Sequence, residues 1–225
     1  AKSLITNEQL GKNKVTDFLA VSLSSTDYIG HQFGPNSVEI EDCYIRLDKD
    51  IALFLAYLDS TVGKGNYLFF LTADHGAAHI PAYLTQRKMP AGVLPNDTVL
   101  KQLNQHVKSV YGNEDWLLAY ENMQIYFNNP LLSARKIDLK AFKQTIKNYL
   151  LKVQGISDVL DLNNLSNENL PAELRQMIAN GVHANRSGDM FVLHNPGWFE
   201  GYAKGTTHGT VYPYDTHIPL VWMGW

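Results

Sequence analysis

The sequence predicts an α/β fold, a three-layer α/β/α sandwich around a mainly parallel central sheet. Three observations lead there. Two short apolar runs, residues 18–23 and 67–72, have the length and composition of strands covered on both faces. One amphipathic helix separates them, and a motif bearing Asp and His directly follows each run.

Phe18-Leu19-Ala20-Val21-Ser22-Leu23 is the first predicted strand, and Ser24-Ser25-Thr26-Asp27 leads off its carboxyl end. A helix is expected to start at Asn36 or Ser37 as N-cap, with Glu39 and Glu41 near the positive end of its dipole. Ile40, Cys43, Leu47, Ile51, Phe54, Leu55 and Leu58 recur at three- and four-residue intervals and mark its apolar face. Gly63-Lys64-Gly65-Asn66 ends it, and residues 67–72 form the second strand. In a right-handed crossover unit these two strands are parallel, which brings the motifs at their carboxyl ends to one edge of the sheet.

From Ala77 to about Gly188 the character changes, with Pro81, Pro90 and Pro95 punctuating a loop-rich start. Helices are expected over 97–111, 138–151 and 170–179, and short strands over 124–128 and 156–160. This order suggests an inserted α/β cap subdomain at about 80–186 within a single domain spanning 1–225. The core sheet is expected to resume at 189–194 and again at 218–223.

At 225 residues and 45% hydrophobic, the chain is long enough for a sizeable core. A net charge of −3 and a pI near 6.2 leave no broad cationic surface, which disfavours nucleic-acid binding as the main role. The single cysteine, Cys43, excludes an intrachain disulfide and a Cys-based zinc finger; on the apolar helix face it reads as a small core residue. No run approaches the roughly 18 apolar residues of a bilayer span.

The candidate site rests on Asp27-Tyr28-Ile29-Gly30-His31, Thr72-Ala73-Asp74-His75-Gly76 and Thr207-His208-Gly209. Carboxylate and imidazole are what a zinc-like ion takes from a protein without available thiolates. Taken singly, an Asp at a strand end is more often a turn former or helix cap. Three such motifs, each beside an expected strand, make Asp27, His31, Asp74, His75 and His208 the candidate metal ligands. His79 and His217 lie close to the motifs, either as groups orienting a ligand or as ordinary polar histidines. His106, His183 and His194 have no metal-like spacing and are assigned structural or surface roles. Thr72, Thr206 and Thr207 are read as turn-forming or hydrogen-bonding hydroxyls, and Trp198, Tyr202, Tyr212 and Tyr214 as packing or pocket-lining aromatics.

In this order, Asp-x-x-Gly-His-x-x-Gly (Asp27 to Gly34), Thr-Ala-Asp-His-Gly (Thr72 to Gly76) and Thr-His-Gly (Thr207 to Gly209) resemble the alkaline phosphatase superfamily. Within it the chain looks most like bacterial phosphate-irrepressible alkaline phosphatases and the related type I phosphodiesterases/nucleotide pyrophosphatases. The match is firm over 16–76 and 186–224 and loose between. The resemblance implies that Asp27, His31 and His208 ligate one Zn2+ and that Asp74 and His75 contribute to a second. It further implies in-line phosphoryl displacement on a small phosphate-ester substrate, with a periplasmic or secreted location.

In that family a nucleophilic Thr or Ser and a further Asp ligand lie well before the Asp-x-x-Gly-His motif. The 26 residues ahead of Asp27 contain no strand followed by such a pair, so no catalytic nucleophile is identified. The expectation is therefore an incomplete sandwich, the carboxyl-terminal portion of a larger zinc-dependent phosphate monoesterase, holding at most one zinc tightly. Phosphodiesterase or nucleotide pyrophosphatase activity is the neighbouring alternative, and a non-catalytic metal-binding module the other.

Overall fold

The computed structural model describes residues 1–201 and 205–224. Its amino-terminal part holds three helices: α1 (Lys2–Asn7), α2 (Ser25–Phe33) and the long α3 (Val38–Leu58), which runs into one π-helical turn at Asp59–Gly63. Then come β1 (Phe69–Thr72), α4 (Pro81–Gln86), β2 (Gly92–Leu94), α5 (Asn96–Tyr111), β3 (Leu117–Glu121) and β4 (Gln124–Phe127). The chain continues through α6 (Asn129–Ala134), α7 (Leu139–Leu150), β5 (Ile156–Asp161), a 3-10 segment at Leu162–Asn167, α8 (Ala172–Asn180) and β6 (Met190–His194). It closes with β7 (Trp198–Glu200), α9 (Pro213–Thr216) and β8 (Leu220–Met223). No helix among the described residues is long and apolar enough to cross a membrane.

Helix α3 forms as its sequence predicts. The Ser37 hydroxyl accepts from the Ile40 N–H at 3.2 Å, satisfying one of the unpaired donors of the first turn. Ile40 and Leu58 are buried and Cys43, Leu47, Ile51, Phe54 and Leu55 half-buried, whereas Tyr44, Ile45 and Leu53 face outward.

The strands are mixed in direction and the sheets small. β1 pairs antiparallel with β8, Phe69 opposite Met223 and Thr72 opposite Leu220. β2 and β7 form a parallel pair, and β3-β4-β6-β5 a four-stranded antiparallel sheet. The mainly parallel sheet expected from the sequence is thus corrected: among the described residues only β2 and β7 run parallel.

Residues 18–23 are not a strand. Phe18, Val21 and Leu23 are exposed, although the Phe18 ring lies 6.2 Å from that of Phe70, so the segment runs beside β1 without a ladder. An apolar run marks where a strand could lie, but a strand exists only through backbone bonds to a neighbour. The crossover unit expected over 16–76 is accordingly absent. The run at 189–194 also departs from expectation, since β6 joins the four-stranded sheet with β4 and β5 and not the β1/β8 pair.

All five residues of β6 are buried, because each face of its sheet is covered. Met190 and Val192 point into a cluster with Trp116, Ile125, Phe127, Phe142, Ile146 and Val159, while Phe191 and Leu193 meet Leu160, Leu162, Leu165 and Ile178 on the other side. The period of two along a strand produces this division. Helix α7, capped by the Asp138 carboxylate on the Lys140 and Ala141 N–H groups, supplies the fully buried Phe142. Its ring meets those of Phe127 at 5.0 Å and Tyr111 at 5.1 Å, both edge to face.

The β3–β4 hairpin, unforeseen in its first strand, turns at Asn122 and Met123, both with positive φ (50° and 61°) as a two-residue hairpin turn requires. Phe142→Ala is expected to cost about 3–5 kcal/mol by leaving a cavity between α7 and the sheet. Urea denaturation followed by tryptophan fluorescence measures this; a loss below about 1 kcal/mol would show that Phe142 does not anchor the core.

Candidate metal centre

Asp27 and His31 stand one turn apart on α2, so the first motif is helical and not a loop leaving a strand. Asp27 Oδ1 lies 3.4 Å from His31 Nε2 and 3.7 Å from His75 Nε2. Asp27, His75 and His208 each offer a ligand atom within 4.8 Å of the others. The His208 ring is 5.1 Å from that of His31 and stacks on that of His75 at 3.3 Å. Four of the five candidate side chains therefore meet in one place. Asp74 flanks them with its side chain 91% exposed, Oδ1 3.7 Å from His75 Nε2.

Loop contacts hold these residues against one another. His31 Nδ1 lies 2.8 Å from the Thr206 carbonyl, while the Thr206 N–H donates to the His31 carbonyl at 3.0 Å. His75 Nδ1 lies 2.7 Å from the Gly76 carbonyl. A carbonyl only accepts, so Nδ1 is the donor in both rings, which in the neutral imidazole leaves Nε2 as the nitrogen with a lone pair. The Ala78 N–H donates to the Thr207 carbonyl at 3.2 Å, and the Thr206 hydroxyl donates to the Ala78 carbonyl. Thr72 Oγ1 donates to the Pro219 carbonyl at 2.9 Å, tying the end of β1 to the entry of β8.

Two glycines are required by close approach. A Cβ on Gly76 would stand 2.1 Å from the Tyr214 carbonyl, and one on Gly205 2.8 Å from the His31 carbonyl. At those separations a side chain would push the motif segments apart.

The donor set suits a small divalent ion. Ligands about 2.0–2.1 Å from a tetrahedral centre lie about 3.4 Å from one another, close to the observed spacing around Asp27 Oδ1. Burial, reinforced by the His75 and His31 rings, pushes the His208 imidazole below its usual range and favours the neutral form that binds metal. His79 instead pairs through Nδ1 with Asn36 Oδ1 at 2.6 Å and stacks on Tyr83, and His217 is exposed at the end of α9. Tyr202 lies outside the described residues. Trp198 packs closely on Gly92 and Gly155, and the Tyr212 hydroxyl donates to the His194 carbonyl at 2.5 Å.

Asp215 escaped the sequence reading, although its place seven residues after His208 was a usable signal. It is 4% exposed and accepts from the Thr210 N–H at 2.7 Å and the Thr210 hydroxyl at 2.6 Å through Oδ2. Its carbonyl receives the Gly76 N–H at 2.8 Å. One aspartate thus braces both the loop bearing His208 and the segment bearing His75. Its Oδ1 has no hydrogen-bond partner among the described residues.

Burial pushes the Asp215 carboxyl above its ordinary range, against the two Thr210 bonds that favour the ionised form. A carboxyl with a raised folded pKa stabilises the fold below its unfolded pKa and loses that contribution as pH rises through the folded value. Asp215→Asn is therefore expected to raise the melting temperature of metal-free protein at pH 7, by a margin that shrinks as pH falls through the carboxylate range. Calorimetry across pH 3–7 tests this, and a margin independent of pH would contradict it.

Comparison with known proteins agrees with these motifs. The family model for type I phosphodiesterase/nucleotide pyrophosphatase matches residues 2–221. Over the whole chain the protein is 46% identical to alkaline phosphatase PhoV of Synechococcus elongatus and 41% to alkaline phosphatase PafA of Elizabethkingia meningoseptica, covering 40% and 41% of their lengths. It is 47% identical, again over its whole length, to 42% of a protein of Myroides odoratus named a calcium-transporting ATPase. The crystal structure of wild-type PafA superposes with a TM-score of 0.94 at 41% identity, over all of this chain and 43% of that one. The chain spans about two fifths of the length of these relatives. It belongs to the type I phosphodiesterase/nucleotide pyrophosphatase family, among the PafA- and PhoV-like members of the alkaline phosphatase superfamily.

Proposed function

We propose that this chain carries zinc-binding residues of a phosphate monoester hydrolase of the alkaline phosphatase type. One observation supports this above the others: Asp27, His75 and His208 converge within 4.8 Å although they come from a helix, a strand end and a distant loop. Following the motif resemblance, Asp27, His31 and His208 would hold one zinc, and Asp74 and His75 would contribute to the second; in this chain His75 lies with Asp27 and His208, and Asp74 stands exposed beside them. Zinc bound there supplies Lewis acidity that neutralises charge on a phosphate ester and its departing oxygen. Within the chain, Thr206 and the Gly76 carbonyl keep the His31 and His75 protons on Nδ1, and Asp215 holds the two segments in register.

The nucleophile is assigned outside these 225 residues, and so is part of the three-layer sandwich in which residues 18–23 would find a strand partner. An inserted cap at about 80–186 belongs to the same reading, as does a location outside the cytoplasm. Hydrolysis at phosphorus is the chemistry shared by the names of the relatives, whether phosphatase or ATPase.

Three ligands with an open position make a metal site, whereas Asp74 and His75 alone offer two. The 225-residue chain should retain no more than one zinc equivalent after dialysis and hydrolyse aryl phosphate little or not at all. Atomic absorption and a p-nitrophenyl phosphate assay decide this, and two retained equivalents or robust turnover would overturn it. Asp215→Ala, which removes the acceptor of both Thr210 bonds in the loop bearing His208, should weaken zinc affinity about 10–100-fold. Competition with a chromogenic chelator measures that, and unchanged affinity would leave Asp215 a purely structural residue.

A further inference from the structure

An open groove leaves the metal cluster along α2. It is lined by Tyr28, His31 and Gln32 of that helix, by Glu200 and Gly201, and by residues 205–207. His31 belongs both to the groove and to the cluster, where its Nε2 lies 3.4 Å from Asp27 Oδ1, so the groove continues the candidate site.

Helix geometry sets what α2 presents there. Asp27 and His31 stand one turn apart, and Tyr28 and Gln32 form the next such pair, rotated from the first by about 100°. The pair that includes the candidate ligands is thus flanked by a phenol ring and an amide.

Tyr28 is 74% exposed, on a helix with no buried residue. The exposed rings beside β1 and β8 are arranged differently: Phe18 and Trp222 lie 6.2 and 5.2 Å from Phe70, one on another. Tyr28 turns instead to the groove that it shares with His31.

Elsewhere the lining holds much main chain. Among the described residues, Gly201 and Gly205 bring no side chain, and a Cβ on Gly205 would stand 2.8 Å from the His31 carbonyl. Thr206 donates its N–H to His31 and its hydroxyl to Ala78, so its donors are committed within the fold. The Tyr28 ring is therefore the largest apolar surface that the groove offers a ligand. An aromatic face favours a second planar ring, offset or edge-on, over a saturated ring of the same size.

A phosphate ester reacting at the cluster places its alcohol group in space adjoining those side chains, and the groove adjoins both His31 and the loop leading to His208. We propose that Tyr28 selects the alcohol group of the ester by stacking on a planar aromatic ring carried by it. The inference rests on the proposed phosphatase function and adds to it a substrate class. Tyr28 touches the part of the ester that does not react and takes no step in the chemistry.

The test uses the protein as its gene encodes it, with Tyr28→Phe and Tyr28→Leu. Benzyl and cyclohexylmethyl phosphate release primary alcohols of similar acidity, so their ratio reports the ring and not the departing oxygen. Benzyl phosphate should exceed cyclohexylmethyl phosphate about fivefold in kcat/KM, and benzylphosphonate should bind about fivefold more tightly than cyclohexylmethylphosphonate in calorimetry. Tyr28→Phe should keep both ratios, whereas Tyr28→Leu should bring them to about one. A tyrosine that only packed against neighbouring polypeptide would move neither. AMP assayed against ribose 5-phosphate tells a nucleobase from a ring next to the ester carbon, and a Tyr28-dependent preference in either pair supports the stacking. Zinc retained by each variant shows that the cluster is intact. Hydrolysis of the esters with ratios near one in both pairs, or with ratios that Tyr28→Leu leaves unchanged, would overturn the subsite alone. Failure to hydrolyse any of the esters would remove the phosphatase function and the subsite together.

Discussion

The candidate site depends on the reciprocal contact between His31 and Thr206, residues 175 apart in sequence, in which each main chain or ring answers the other's carbonyl. One of these bonds fixes the imidazole proton on Nδ1, and the other brings the loop bearing His208 against α2. A Cβ at Gly205 would enter this space. The same bonds that close the tertiary structure therefore set which ring nitrogen faces Asp27, so local chemistry and long-range packing cannot be varied separately.

Asp215 extends this bracing to the second motif. A buried carboxylate with one oxygen satisfied and the other unpartnered is costly in a metal-free fold. It is accounted for by its position between two histidine-bearing segments, which it holds through Thr210 and the Gly76 N–H. Asp74, by contrast, has a side chain that is almost wholly exposed.

The four-stranded sheet serves the site from its periphery. Its hydrophobic clusters on both faces rigidify β6 and the β3–β4 hairpin, whose Asn122 and Met123 line a cavity next to His208. The candidate metal ligands, by contrast, sit on α2 and two loops.

Much of this was legible in local pattern. The apolar face of α3, its Ser37 cap, the helices near 97–111 and 138–151, and the strands β1, β4, β5 and β8 follow from periodicity and capping, because these are decided by neighbours within a few residues. The Asp and His motifs were equally visible, as side-chain chemistry needs no fold to be recognised. Strand partnership was not: residues 18–23 have strand composition and no ladder, and 190–194 joined a different sheet from the one expected, because hydrogen-bond partners are chosen by segments far away in sequence. His75 coming within reach of Asp27, and Asp215 holding the segment of Gly76, arise from contacts across 40 or more residues. Such contacts leave no periodic trace in the chain that makes them.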